Sequence, residues 1–546
     1  MIKKLTMILI LFMTLILITF LTACDEEAPE EEAGKEESEK EESEEVEADY
    51  GGTLRLAVSE ITYGNPIYQN PEKLYHVQQL IFESLVTFDE DQSIIGVVAK
   101  DWNFSEDGQV VELELHSDVT WHDGEPLTAE DIIFTVNTIK DAPQDRVNPR
   151  IYQNSIKHIS FIRELENGNL EISFTRPFSN ALEALTFPIL PSHLLEEAPE
   201  LLQGEDFPWV GTGPYKLSDR DSQGLTLIKY GDHKRKDPYI EEIHVQVEED
   251  YNRRKRMFEE GELDLFRSAY LDPGSFENIE EEQIWELSTN SLEYLAFNYQ
   301  SDSAFSQSAE LRGIINQVIN RDQLIEEVYF GFATAADIPV HRNHWLYSED
   351  ASEEEALEDE EFQQVMENLG YKQDDQQLWV DNSGENIIME ILVNENHRPR
   401  VMAAKILKEQ MGQLGFEITL AEVDAMTVRQ RLEKGDFTIY FGAWDLGFLP
   451  DLSFAFHSDF AGRTNFMHYI NEDVDGILEE AFRAPDQEEK ATQHQKLQEI
   501  LREDQPIISL YYLQDTYIFG EALHGEFAPR ANNIFANLEN WFMETK

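Results

Sequence analysis

Few of the chemically capable residues in this chain are spaced for catalysis. His341 and His344 share one polar loop, but a metal centre needs three or four ligands and two imidazoles do not supply them. The chain contains no phosphate loop, no nucleophile elbow and no HExxH. Two carboxylates can always be paired into a glycosidase-like dyad, yet among 109 Asp and Glu such a pair is expected by coincidence. His122-Asp123-Gly124 reads as a tight turn beside a packed Trp121, not as a catalytic pair. Cys24 is the sole cysteine, so no disulfide can form within the chain. These residues point away from an enzyme and imply no cofactor and no metal. They leave recognition as the chemistry to look for.

The N-terminus fixes where that recognition takes place. Lys3 and Lys4 precede an apolar run from Leu5 to about Phe20. The run is short for a spanning helix and is flanked like an export signal. It stops at Leu21-Thr22-Ala23-Cys24, which resembles the lipobox of bacterial lipoproteins. There, small residues precede a cysteine that is lipidated and becomes the new N-terminus. Two acyl chains suffice for stable anchoring where one does not. Asp25 to Asp49 is nearly all Glu, Ser, Ala and Lys. Such a segment cannot bury enough surface to offset its ordering entropy and is predicted to be a disordered tether. About 25 residues reach at most roughly 80 Å.

The formal net charge is −67, from 42 Lys and Arg against 109 Asp and Glu. Nucleic-acid binding, which requires a basic face, is excluded. Electrostatic attraction to anionic lipid is excluded too, which makes the acyl anchor the more necessary. The acidity reads as a solvated surface suited to high ionic strength or alkaline surroundings.

Roughly 500 residues follow the tether, too many for one core. Short β-branched or aromatic runs bounded by turn residues read as strands: Thr53–Val58, Val110–Leu115, Leu170–Phe174, Ile243–Val247, Glu293–Tyr299, Ile387–Val393, Phe416–Ala421, Phe437–Phe441 and Ile507–Tyr512 among them. Helices alternate with them. Thr128 with Asp131 forms a capping-box pattern ahead of Ile132, Ile133, Val136 and Ile139. Leu311–Val328 is helical with an interruption near Asn320-Arg321-Asp322, and Val401–Leu414 ends at Gly415. Glu349–Glu361 is an acidic insert.

Taken in order, the motifs resemble one family, the bacterial extracellular solute-binding proteins of peptide and nickel ABC importers (family 5). The matching segments include Gly51-Gly52-Thr53-Leu54, Ile81-Phe82-Glu83-Ser84-Leu85, Ala99-Lys100-Asp101-Trp102 and the stretch from Leu115 to Asp131 around Trp121-His122-Asp123-Gly124. Gly211-Thr212-Gly213-Pro214-Tyr215, Gly261-Glu262-Leu263-Asp264, Phe297-Asn298, Asn320-Arg321-Asp322 and Asp475 with Leu478 and Ala481 continue the series. Asn320 stands where the family usually has Asp.

The resemblance implies an α/β fold of two hinge-closing lobes, of the type II periplasmic-binding-protein kind, with an extra subdomain on the first lobe. Residues 1–23 are then the signal peptide and 24–49 the tether. Residues 50–80, 208–290 and 516–546 form lobe I, 81–207 the subdomain, and 291–515 lobe II. The implied function is a monomeric, lipid-anchored protein on the extracellular face of the membrane. It captures an oligopeptide or dipeptide in the cleft and hands it to the permease and ATPase subunits. Uptake of nickel or another metal as a chelate, and ligand sensing without transport, are the alternatives.

The resemblance also nominates site residues. Trp444 matches the family tryptophan that lines the pocket. The acid that pairs with the ligand's α-amino group lies three residues later in the family, and here that position is Gly447. A buried ammonium needs a charged partner, so either a neighbouring acid, Asp445 or Asp451, substitutes, or the ligand lacks a free N-terminus there. Glu72 and Tyr75, ahead of the Ile81–Leu85 motif, and Arg150 and Tyr152 in the subdomain are expected to face the cleft, with Tyr152 able to stack or hydrogen-bond along a bound chain. One prediction belongs to the N-terminus: Cys24→Ser should release the protein into the medium, and retention in the membrane fraction would count against lipidation.

Overall fold

Alternation decides the first strand. In β1 (Thr53–Val58), Leu54, Leu56 and Val58 are buried while the residues between them are half-buried. The structure, a computed structural model, describes residues 48–544 apart from 62–63, 69–70, 90–91, 143–146, 205, 235–236, 269–282, 353–356, 358, 448–450 and 485. Cys24 and the tether up to residue 47 lie outside the described residues.

After β1 comes helix α1 (Pro71–Gln79), and the chain then builds a separate four-stranded antiparallel sheet. That sheet comprises β2 (Ala99–Phe104), β3 (Val110–Leu115), β4 (Ile159–Glu164) and β5 (Leu170–Phe174), with helices α2 (Ala129–Asp141) and α3 (Val147–Ile156) inserted between β3 and β4. The chain returns through β6 (Tyr215–Asp221), β7 (Gly224–Lys229), β8 (Glu242–Val247) and β9 (Leu265–Ser268). It then crosses into a second lobe on β10 (Ile284–Phe297). There it lays down α4 (Ala309–Val318), α5 (Arg321–Tyr329), β11 (Ile388–Asn394), α6 (Arg398–Gln413), β12 (Glu417–Val423), α7 (Ala425–Lys434), β13 (Ile439–Asp445), α8 (Glu472–Arg483) and α9 (Gln487–Asp504). Strand β14 (Ile507–Phe519) carries it back.

The main sheet runs β12-β11-β13-β10-β14-β9-β1-β8-β7-β6, with Ala333–Ala335 paired to β14 as an eleventh strand. One hydrogen-bonded ladder thus spans both lobes, but the cores do not. The first core takes residues from Leu54 to Leu287 and from Tyr517 to Met543. The remaining clusters lie between Leu292 and Tyr512. At that same place the β10–β14 ladder slips. Ser288 pairs with Gln514, and pairing resumes only at Leu292 with Tyr512. Thr289 Oγ1 donates to the Leu513 carbonyl at 2.7 Å, covering part of the lost ladder.

Several motifs of the first lobe meet in one hydrogen-bonded knot. The Gly213 amide donates to the Ile81 carbonyl at 2.9 Å, and the Tyr215 amide to the Leu80 carbonyl at 3.0 Å. A Cβ on Gly211 would stand 1.8 Å from the Ile81 oxygen, so only glycine permits this approach. His122 Nδ1 accepts from the Gly211 amide at 3.2 Å, which leaves the Nε2 proton for the Gly213 carbonyl at 3.0 Å. Burial pushes this imidazole down to about 4, so it stays neutral and acts as scaffold. Thr212 Oγ1 donates to Glu83 at 2.9 Å. Asp131, at the capping-box position, accepts from the Thr128 amide at 2.9 Å and from Trp121 Nε1 at 3.3 Å. Together these contacts fix the subdomain's helices on lobe I.

The second lobe keeps the expected break at Asn320, whose side chain caps α5 by accepting from the Gln323 amide at 3.0 Å. The crossing strands are longer than their hydrophobic runs predict. Polar residues such as Ser288, Asn290, Ser291, Gln514 and Asp515 belong to neither core, so periodicity fades where the strands continue. Strands β2 and β4 also escape a sequence reading, because most of their residues are exposed and the apolar ones do not alternate: Phe104 and Phe161 face outward with the polar side chains. Next to the ladder slip, Glu293 is 1% exposed and forms a bidentate pair with Arg400 of α6, both bonds 2.7 Å. Removing one partner of such a pair strands a buried charge. Arg400→Met is therefore expected to cost about 3–5 kcal/mol in denaturant unfolding, and the double change Arg400→Met with Glu293→Leu to recover most of that loss. Equal losses in the single and double variants would contradict this.

Candidate functional site

In both lobes the carboxyl ends of parallel strands point at the ladder slip. On lobe I, β1 ends at Val58, and the last residue of β9, Ser268, pairs with Thr516 of β14. On lobe II, β11 ends at Asn394 and the last residue of β13, Asp445, pairs with Ser291 of β10. Ligands of open α/β sheets bind outside carboxyl strand ends. Two such ends facing one junction make the space between the lobes the candidate site.

The lobe II rim carries Trp444 and Asp445. Trp444 is 9% exposed. Its ring lies 4.0 Å from that of Tyr294, with Phe454 at 5.4 Å and Phe456 at 5.8 Å set edge-on. It is therefore largely a core residue at the end of β13. The next side chain, Asp445, is exposed and accepts from the Gly447 amide at 3.3 Å. Gly447 has φ +65°, the left-handed region that favours glycine. The turn thus replaces the acid expected at this position, and an exposed carboxylate stands two residues earlier. Asp451 is exposed as well and accepts from the Ser453 amide at 3.0 Å.

The lobe I rim brings two of the nominated residues together. Tyr75 of α1 and Tyr152 of α3 line one pocket with Pro66, Gln79, Phe82 and Thr186. Burial pushes the Tyr75 phenol up to about 12, against a smaller downward pull from its hydrogen bond with Gln79. Burial, then the neighbouring Tyr75, raises Tyr152 well above its ordinary value. Both hydroxyls therefore stay protonated and can donate as well as accept. Beneath them, Tyr75 and His76 also line a cavity with Val58, Ser59, Arg267 and Tyr517, at the end of β1. Burial, aided by Arg267, holds the His76 imidazole down at about 4. The backbones at Glu72 and Arg150 are helical, but their side chains lie outside the described residues.

A further pocket escapes a sequence reading. Asn394, Arg400, Val428, Arg429, Tyr440 and Arg463 surround a cavity at the end of β11. Two of these arginines are already ion-paired, Arg400 with Glu293 at 2.7 Å and Arg429 with Glu433, which also lines the pocket, at 2.8 Å. Arg398 and Arg400 at the start of a helix directly after a strand were the only local signal, because Arg429 and Arg463 arrive from distant segments. The histidine pair of the polar loop is scaffold. His341 Nδ1 accepts from the Asn343 amide at 3.1 Å and His344 Nδ1 from the Leu346 amide at 3.0 Å. Among the described residues no group of three or more His, Cys, Asp or Glu could hold a metal ion, and no helix is long and apolar enough to cross a membrane.

Comparison with known proteins places these features in context. The family model for bacterial extracellular solute-binding proteins, family 5 Middle, matches residues 93–466. The sequence is 22% identical to the oligopeptide-binding protein AppA of Bacillus subtilis (strain 168) over 559 residues, covering 99% of each chain. The solved structure of B. subtilis AppA in complex with a nonapeptide superposes with a TM-score of 0.64 at 20% identity, covering 91% of this chain and 100% of that one. NikZ from Campylobacter jejuni in complex with Ni(L-His) superposes with a TM-score of 0.66 at 23% identity, covering 90% of this chain and 99% of that one. At such identities the structural likeness speaks to fold alone.

Because Trp444 is packed on three rings, Trp444→Ala would open the core as well as the rim, at a cost of about 3–5 kcal/mol. Tyr152→Phe is the cleaner probe. It should leave the melting temperature unchanged and weaken ligand binding by about 1 kcal/mol in calorimetry. Unchanged affinity would remove Tyr152 from the site.

Proposed function

The chain belongs to the bacterial extracellular solute-binding proteins, family 5, and from that premise we propose that it captures peptides between its lobes and delivers them to an importer. As a solute-binding component of ABC importers it is a transport protein and not an enzyme. Transport energy comes from the ATPase partner, so the chain itself needs only to bind, enclose and release. The observation that carries the peptide reading is the likeness to an oligopeptide-binding protein over 99% of both chains.

The rims supply what such a ligand requires. Tyr75 and Tyr152 offer protonated hydroxyls on the lobe I side. Asp445 and Asp451 offer carboxylates to an ammonium, in place of the acid absent at Gly447. The pocket lined by Arg463 and by the ion-paired Arg400 and Arg429 adds a polar surface at the end of β11. A ligand stabilises closure only through contacts that the separated lobes lack, so it must touch both rims. The lipid on Cys24 keeps the protein at the outer face of the membrane, with the acidic tether setting its reach.

Native mass spectrometry of the purified protein, followed by calorimetry with synthetic di- to nonapeptides and with Ni(II)-histidine, tests the reading. Peptide masses in the native spectrum and peptide binding in solution are expected. Binding of the nickel chelate with no peptide bound would overturn the peptide assignment.

A further inference from the structure

The lobes also meet through side chains that belong to neither crossing strand. Phe482, in the last turn of α8 on lobe II, enters a socket on the subdomain. Its ring stacks on Phe178 at 5.0 Å and 30°, and His158 meets it edge-on at 5.1 Å. The Arg176 guanidinium carbon lies 3.8 Å from the ring centroid, on a cation–π contact. The Ser179 amide donates to the Phe482 carbonyl at 2.9 Å. Lys490 of α9, 5% exposed, reaches across to Asn180 Oδ1, with the carboxylate of Glu183 nearby.

Three features set this apart from a casual touch. The contact combines ring stacking, a cation over the ring face and a backbone hydrogen bond on a single residue. The residues come from the segment just before β4 and the turn just after β5 on one side and from consecutive helices on the other, so the contact joins separately packed parts of the chain. Separating the lobes would expose the ring and take Asn180 away from Lys490.

We propose that the Phe482 socket is a latch between subdomain and lobe II, which biases the lobes toward closure without ligand and so sets binding affinity. The proposal rests on the hinge-closing reading of the two lobes. If a fraction of the free protein is held in the binding-competent arrangement, apparent affinity scales with that fraction. Losing the latch lowers the fraction and so weakens binding.

The test compares full-length wild type with Phe482→Ala, Phe482→Leu and Arg176→Gln. The readouts are small-angle scattering of the ligand-free proteins and calorimetric titration with tetra-alanine. Phe482→Ala should increase the radius of gyration of the free protein and weaken tetra-alanine binding about tenfold, with Phe482→Leu and Arg176→Gln in between. Circular dichroism should show the same helix and strand content in all four proteins. Scattering curves and affinities identical to wild type in Phe482→Ala would overturn the latch. Failure of the peptide reading looks different: wild type would bind no tetra-alanine, while expansion of the free Phe482→Ala protein would still register the latch.

Discussion

Two strands carry the whole architecture. β10 and β14 pass through both lobes side by side, and their ladder slips between Ser288 and Leu292. The slip falls where the two cores on the shared sheet part. Core residues of the first lobe stop at Leu287 and resume at Tyr517, and those of the second begin at Leu292 and stop at Tyr512. The residues between belong to neither and are mostly polar. Any relative motion of the lobes must be absorbed there, since it is where the strands lose both packing and regular pairing. Buried anchors flank the slip on the lobe II side, where Arg400 grips Glu293 and the Trp444 ring lies on Tyr294.

From that constraint the site follows. Carboxyl ends of β1 and β9 approach the slip from one lobe, and those of β11 and β13 from the other. Both rims carry polar groups: protonated phenols and Arg267 on lobe I, exposed carboxylates and ion-paired arginines on lobe II. Affinity then depends on spanning the gap, and the Phe482 contact adds a share of closing energy that no ligand supplies.

The sequence revealed the scaffold far better than the site, for stereochemical reasons. Gly211 and Gly213 are legible because a Cβ on either would collide with the Leu80–Ile81 backbone. Asp131 is legible because a capping box has a fixed spacing, and Asn320 because it caps a helix at a visible interruption. The rims have no such spacing. Gly447 conceals its meaning until the left-handed turn and the carboxylate of Asp445 are seen together. The pairing of Tyr75 with Tyr152, the convergence of Arg400, Arg429 and Arg463, and the Phe482 socket all arise from segments far apart in the chain. The middles of the crossing strands were hidden too, since a strand outside any core shows no hydrophobic period.

Hydrogen–deuterium exchange tests the central claim most directly, because it reports each rim separately. With a tightly bound peptide, amide exchange should slow at Ser59 and around Tyr75 on lobe I, and at Leu446 and Gly447 on lobe II, in one concerted change. Protection confined to a single lobe, or exchange unaltered on both, would contradict a ligand held between them.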